Sequence, residues 1–301
     1  LGAVQAQEFP FATWGLALRL AGARTAAGIE AAFDAGQILR THVIRPTWHF
    51  VAAGDIRWML ELTAPRVHRT LASYLRRQEI DARTLRRATS LFERALEGGR
   101  SLTRAELGAC LARAGIAMAP MRLGFVTMYA ELEAVVCSGP RRGRQFTYAL
   151  LDERAPGAGR LPRDEALAEL ARRYFTSHGP ATIRDFVWWS GLTVLDTRRG
   201  LEMAGAKRLT VDGLDYWRIG SGGAGHPASD LVRLLPIYDE YLVAYRDRLA
   251  VPHGPSTITA GPAGVTFRHA LVVGGQVGGT WNVRAHRDGR ALHVTPLRRL
   301  T

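Results

Sequence analysis

Apolar residues recur at helical spacing over much of this chain, and the stretches that break the period read as paired strands. The clearest case is residues 164–220. Leu167, Leu170, Ala171 and Tyr174 fall on one helical face, and His178-Gly179-Pro180 stops that helix. Thr182-Ile-Arg-Asp185 has the form of a capping box and opens a short helix, Phe186 to Ser190, which Gly191 ends. Thr193-Val-Leu-Asp196 is a second capping box, opening a helix to about Ala204. Runs at Lys207 to Val211 and Leu214 to Ile219 flank Asp212-Gly213, a hairpin signal because both turn residues need positive φ. Three helices followed by a β-hairpin predict a winged helix.

The same order is predicted upstream. An arginine-rich helix covers about 82–97, Thr103-Arg-Ala-Glu106 caps a helix to Ala114, and a third helix runs from Pro120 to Glu133. Strands at Ala134 to Cys137 and Gln145 to Leu151 then flank a tip containing Arg141, Arg142 and Arg144. The first 53 residues give a weaker version: a helix carrying Gln5 and Gln7, a helix from Ala26 to Asp34, and strands Gln37 to Val43 and Thr47 to Ala52 turning at Arg45-Pro46. Residues 55–78 read as a linking helix. Beyond Leu235 the texture changes to glycine-rich alternation at Val265 to Val273, Val277 to Ala285 and Arg290 to Thr295, with turns at Gly274-Gly275 and Asp288-Gly289, a β-meander or small barrel. Residues 155–163, rich in Pro, Gly and Ala, look like a linker. The predicted class is α+β: three tandem winged-helix units at 1–53, 54–154 and 155–234, then a small β-domain at 235–301.

Composition narrows the setting. The 301 residues are 47% hydrophobic, enough for real cores, and the formal net charge is +13. Such a balance suits a polyanionic partner, with nucleic acid foremost. The basic residues are arginines except Lys207, so a bidentate fork for phosphate is abundant and a Schiff-base amine is scarce. Two cysteines, Cys110 and Cys137, form no zinc spacing and no disulfide framework, which points to a reducing cytoplasm, close to the nucleoid if the partner is DNA. No apolar run reaches the ~20 residues of a membrane span. No metal or other cofactor is expected. The chain lacks an initiator methionine and reads as though it starts part-way into a helix.

Val4-Gln5-Ala6-Gln7-Glu8 is weak as a motif alone, but it stands in a constellation with Arg45-Pro-Thr-Trp-His-Phe50, His178-Gly-Pro-Ala-Thr182, Trp189-Ser-Gly191, Leu235-Pro-Ile-Tyr-Asp-Glu-Tyr-Leu242, Tyr245-Arg-Asp247 and Gly279-Thr-Trp281. In this order the segments resemble the winged-helix DNA glycosylases typified by AlkZ, over nearly the whole chain. The resemblance implies three winged helices with a C-terminal β-domain, a Gln-x-Gln catalytic pair at Gln5 and Gln7, and excision of alkylated bases from double-stranded DNA by a monomer. Glutamine at both positions places the chain nearer the branch that unhooks interstrand crosslinks than the branch with Gln-x-Asp. Members normally carry a few tens of residues before this motif.

The chemistry fits amides. A purine alkylated at N3 or N7 is already cationic and leaves without protonation, so the enzyme has only to hold a water and present dipoles to an oxocarbenium-like sugar. Around this pair, Arg45, Thr47 and His49 are candidate cleft residues, although a histidine on a strand is equally a hydrogen-bonded core group. Asp239 and Tyr241, with Glu240 between them, either shape the cleft or anchor the β-domain. Trp188-Trp189 reads as core. Arg141, Arg142 and Arg144 at the wing tip, with Arg198 and Arg199 on the third unit's last helix, are candidate contacts to the DNA backbone. The other readings are a winged-helix transcriptional regulator, which would be dimeric and need more base-reading side chains than Arg198 and Arg199, and a DNA-binding protein without activity.

Overall fold

The computed structural model describes residues 1–22, 25–220, 231–246, 248, 251, 258–261, 264–286 and 289–297. The first stretch comprises β1 (Val4–Gln5), α1 (Phe9–Ala17), α2 (Ala26–Asp34), β2 (Ile38–His42) and β3 (Trp48–Ala52), with a sheet in the order β1-β3-β2. Gln5 and Gln7 therefore do not lie on a helix as the apolar run suggested. Val4 pairs with Phe50 and Gln5 with His49, and the Ala6 N–H extends the ladder to the Trp48 carbonyl at 2.7 Å. Helix α1 starts only at Phe9, with Pro10 in its first turn, where the missing N–H costs nothing. Strand alternation sends Val4 and Ala6 into a cluster with Phe9, Phe33 and Phe50, and turns Gln5 and Gln7 to the opposite side.

Next come α3 (Ile56–Arg77), α4 (Ala82–Leu96), β4 (Leu102–Thr103), α5 (Arg104–Arg113), α6 (Pro120–Leu132), β5 (Val136–Ser138), β6 (Thr147–Leu150) and the single turn α7 (Leu151–Arg154). A sheet forms in the order β4-β6-β5. Thr103 and Glu106 make the reciprocal capping box at the start of α5. The third stretch is α8 (Arg163–Ser177), α9 (Ile183–Ser190), α10 (Val194–Met203), β7 (Lys207–Val211) and β8 (Leu214–Arg218). Both its capping boxes are present, and the turn at Asp212-Gly213 has φ of 50° and 74°.

The C-terminal part holds β9 (Val232–Leu235), α11 (Glu240–Val243), β10 (Ile258–Gly261), β11 (Gly264–Phe267), β12 (Ala270–Val273), β13 (Gln276–His286) and β14 (Gly289–Pro296). Among the described residues these form an open four-stranded sheet, β14-β13-β12-β9, beside a separate β10-β11 pair, and no closed barrel. The expected continuous strand at Val265 to Val273 is broken at Arg268-His269. There the His269 Nδ1 accepts the Ile237 N–H at 2.8 Å, and its ring packs on Phe11 and Trp281, which takes these residues out of the ladder. Asp247 and Asp288 lie outside the described residues. No helix among the described residues is long and apolar enough to cross a membrane.

The main core joins the first and third stretches through α3. Leu39, Ile44, Trp58, Leu170, Tyr174, Phe186 and Trp189 all belong to it. Trp189 is fully buried, whereas Trp188, which the sequence placed in the core beside it, is 37% exposed and donates its Nε1–H to the Val243 carbonyl. The C-terminal part is fastened to α1: Trp14 Nε1–H donates to the Leu234 carbonyl at 2.9 Å, and Arg19 forms a fork on Asp239 at 2.8 and 2.6 Å.

Candidate active site

The strand β1 is an edge of only two residues, yet Gln5 is only 8% exposed because three distant segments close on it. Its backbone N–H, left over at the outer edge of the sheet, donates to Glu240 Oε1 at 2.7 Å. Its side-chain Oε1 accepts from Arg45 at 2.9 Å. Arg45 in turn donates to the Trp189 carbonyl at 3.1 Å, and Trp189 Nε1–H donates to Glu240 Oε2 at 3.0 Å. The circuit is closed: Gln5, Arg45, Trp189 and Glu240 come from β1, the β2–β3 turn, α9 and α11. Gln7 is exposed, and its side chain makes no hydrogen bond to another described residue, while its carbonyl meets Arg40 at 3.4 Å.

Local backbone geometry aims Arg45. The Arg45 N–H donates to the Val43 carbonyl at 2.6 Å, a γ-turn centred on Ile44, whose φ is 57°. A β-branched residue rarely adopts that conformation, at a cost of about 1–3 kcal/mol. Two contacts hold it there: the Ile44 N–H donates to Thr63 Oγ1, and Gly191 packs so closely that a Cβ would lie 2.5 Å from the Ile44 carbonyl oxygen. Gly191, itself at φ 70°, is thus required twice.

Burial dominates the electrostatics. It lowers the affinity of Arg45 for its proton, and it raises the Glu240 pKa against the opposing pull of Arg45, the Gln5 N–H and Trp189. His49 is held well below its ordinary pKa by burial and then by Arg45, with Nδ1 on the Thr47 carbonyl at 2.8 Å. His178 is pushed down to about 3 by burial, then by nearby positive charge. Its Nε2 lies 3.8 Å from Glu240 Oε2, too far for a hydrogen bond, and has no other partner among the described residues. Both imidazoles are therefore neutral at neutral pH.

That neutrality has a measurable consequence. Between the unfolded value near 6.5 and the folded value near 3, unfolded chains bind a proton at His178 that folded chains do not, so this contribution is complete above pH 6.5 and is lost as pH falls. Glu240 shifts the other way and offsets part of it. Lowering pH from 7 to 5 should cost the wild type about 2 kcal/mol more than His178→Gln in urea unfolding. Equal losses in the two proteins would refute the assignment.

Other sequence candidates are placed elsewhere. Thr47 shows a buried Oγ1 without a partner among the described residues, beside His49. Asp239 caps α11 and binds Arg19, and the Tyr241 hydroxyl donates to the Gly275 carbonyl at 2.6 Å, so both act as anchors. Arg141 is stacked over Phe9 and paired with Glu30, Arg142 with Glu106, and Arg199 with Asp164, whereas Arg144 and Arg198 are exposed. Glu240, which the sequence left undecided between shaping the cleft and anchoring the β-domain, is the one of the three that reaches Gln5. The run Leu235 to Leu242 holds two adjacent acids, Asp239 and Glu240, an expensive placement unless the charges are paired. Among the described residues no group of three or more His, Cys, Asp or Glu is arranged to hold a metal ion.

A sequence model for the family described as DNA glycosylase AlkZ-like matches residues 1–301. Among solved structures, the DNA glycosylase AlkZ of Streptomyces sahachiroi is similar in fold, with a TM-score of 0.78 at 24% identity over 99% of this chain and 84% of that one. No curated protein matches in sequence.

Proposed function

The chain belongs to the AlkZ-like family of DNA glycosylases, and from that premise we propose that it hydrolyses the N-glycosidic bond of purines alkylated at N3 or N7, using Gln5 and Gln7. The enzyme class and the DNA partner follow from the family; the lesion and the residue roles are our reading. The observation that carries it is the contrast within the pair: the Gln5 side chain is held by Arg45 while Glu240 takes its backbone N–H, and the Gln7 side chain is exposed, with no hydrogen bond to another described residue.

That contrast divides the labour. With its carbonyl taken by Arg45, Gln5 presents its amide N–H groups to the sugar or the lesion. Gln7 keeps a free carbonyl, which accepts from and orients the attacking water. Glu240 is committed to the Gln5 N–H and to Trp189, so it does not serve as an acid for the leaving base. A cationic N-alkylpurine needs none, while a neutral base does, and this gives selectivity for damage. We extend the proposal to unhooking of crosslinks joined through such cationic purines, since each is cleaved by the same step. Duplex carrying N7-methylguanine should yield abasic sites with this protein and undamaged duplex should not; absence of abasic sites on the methylated duplex would overturn the reading.

Water as the nucleophile implies an intact abasic product. The single lysine, Lys207, is exposed on β7, paired in register with Arg218 in the third stretch's hairpin, and takes no part in the Gln5–Arg45–Trp189–Glu240 circuit. Borohydride added during turnover should therefore trap no protein–DNA adduct, and strand breaks should appear only after hot alkali. An adduct that vanishes in Lys207→Ala would establish lyase chemistry instead.

A further inference from the structure

Beside the Gln5 clamp lies a groove of about 430 Å³ between α3 and the Ile44–Pro46 turn, lined by Arg45, Arg66, Arg69, Thr70 and Gly191. Its charge is unusual for this molecule. Most arginines near other candidate DNA contacts are already committed to carboxylates: Arg141 to Glu30, Arg142 to Glu106, Arg163 to Asp196 and Arg199 to Asp164. Arg66 and Arg69 have no carboxylate partner among the described residues. Each uses only its Nε–H, Arg66 on the Gly191 carbonyl at 2.9 Å and Arg69 on the Pro65 carbonyl at 3.3 Å. Those bonds orient the guanidinium groups and leave their terminal NH2 groups unengaged within the described structure. No acidic residue lines the groove. Arg45 connects it to the reacting site, because one terminal nitrogen binds Gln5 Oε1 and another the Trp189 carbonyl.

We propose that this groove binds a DNA backbone phosphate adjoining the damaged nucleotide, held by Arg66 and Arg69. A phosphodiester matches two oriented, unpaired guanidinium forks set on a helix, and Thr70 adds a hydroxyl within the groove. The site rests on the glycosylase reading given above, since that reading places a nucleotide at Gln5. It also assigns backbone binding to α3 rather than to the wing tip, whose Arg141 and Arg142 would first have to leave their carboxylates.

The test is the salt dependence of binding to undamaged, fluorescein-labelled duplex by anisotropy. Arg66→Gln/Arg69→Gln should lower the slope of log K against log salt by about 0.9 for each phosphate no longer neutralised, and weaken binding roughly tenfold at physiological salt. Arg160→Gln/Arg172→Gln carries the same change in net charge but removes arginines paired with Glu61 and Glu169, and its slope should match the wild type. Arg66→Lys/Arg69→Lys guards against misfolding and should keep most of the slope. Equal slopes for the wild type and the Arg66/Arg69 glutamine variant, or equal losses in both glutamine variants, would overturn the proposal. Excision of N7-methylguanine by the wild type, run in parallel, separates the two ideas. Excision with unchanged slopes defeats the groove alone, whereas no excision defeats the parent reading while the slopes still report on the groove.

Discussion

Gln7→Ala should reduce single-turnover excision of N7-methylguanine by about a hundredfold or more, with duplex affinity and melting temperature unchanged. The scale is that of losing one preorganised dipole aimed at developing charge. Stability should hold because the Gln7 side chain is exposed and makes no hydrogen bond to another described residue. The backbone frame that sets its position, the Ala6 N–H on Trp48 and Arg40 against the Ala6 and Gln7 carbonyls, does not depend on the side chain. Excision near the wild-type rate would remove Gln7 from the mechanism.

Glu240→Ala should be the most destabilising change at the site, by about 3–5 kcal/mol in urea or thermal unfolding. It strips the acceptor from two buried donors, the Gln5 N–H and Trp189 Nε1–H, each costing about 1–3 kcal/mol when left unmade, and it removes the negative charge that most supports the half-buried Arg45. Glu240→Gln separates packing from charge. Its carbonyl still accepts from Gln5, but its NH2 faces the Trp189 donor, so it should fall between alanine and wild type. A loss below about 1 kcal/mol in Glu240→Ala would mean that water or a shifted side chain satisfies both donors, and that the circuit does not hold Gln5.

The readability of the chain followed the range of the interactions involved. The boxes at Thr103, Thr182 and Thr193 and the turn at Asp212-Gly213 are settled within four residues, and sequence spacing was enough to find them. Strand β1 was misread because an apolar run after Gln7 extends a helical pattern backwards, while the deciding partners, His49 and Phe50, lie more than forty residues away on β3. The break at His269 hid for the same reason, its cause being the Ile237 N–H. Of the site, the two glutamines and Arg45 were identified in the sequence, but only through a resemblance of motifs. What holds Gln5 in place was not visible, because Glu240 is 235 positions distant and its neighbours Asp239 and Tyr241, equally prominent in the sequence, turn out to be anchors.

The bond between the Gln5 N–H and Glu240 also sets an order of events during synthesis. Gln5 can pair with His49 and meet Arg45 once the first fifty residues have emerged, but its outward N–H finds its acceptor only when α11 has emerged and docked. A chain ending before Glu240 would keep the α3 arginines of the proposed phosphate groove but lack the carboxylate that closes the circuit on Gln5. If Gln5 and Gln7 act as proposed, the frame around the pair is thus completed only late in translation.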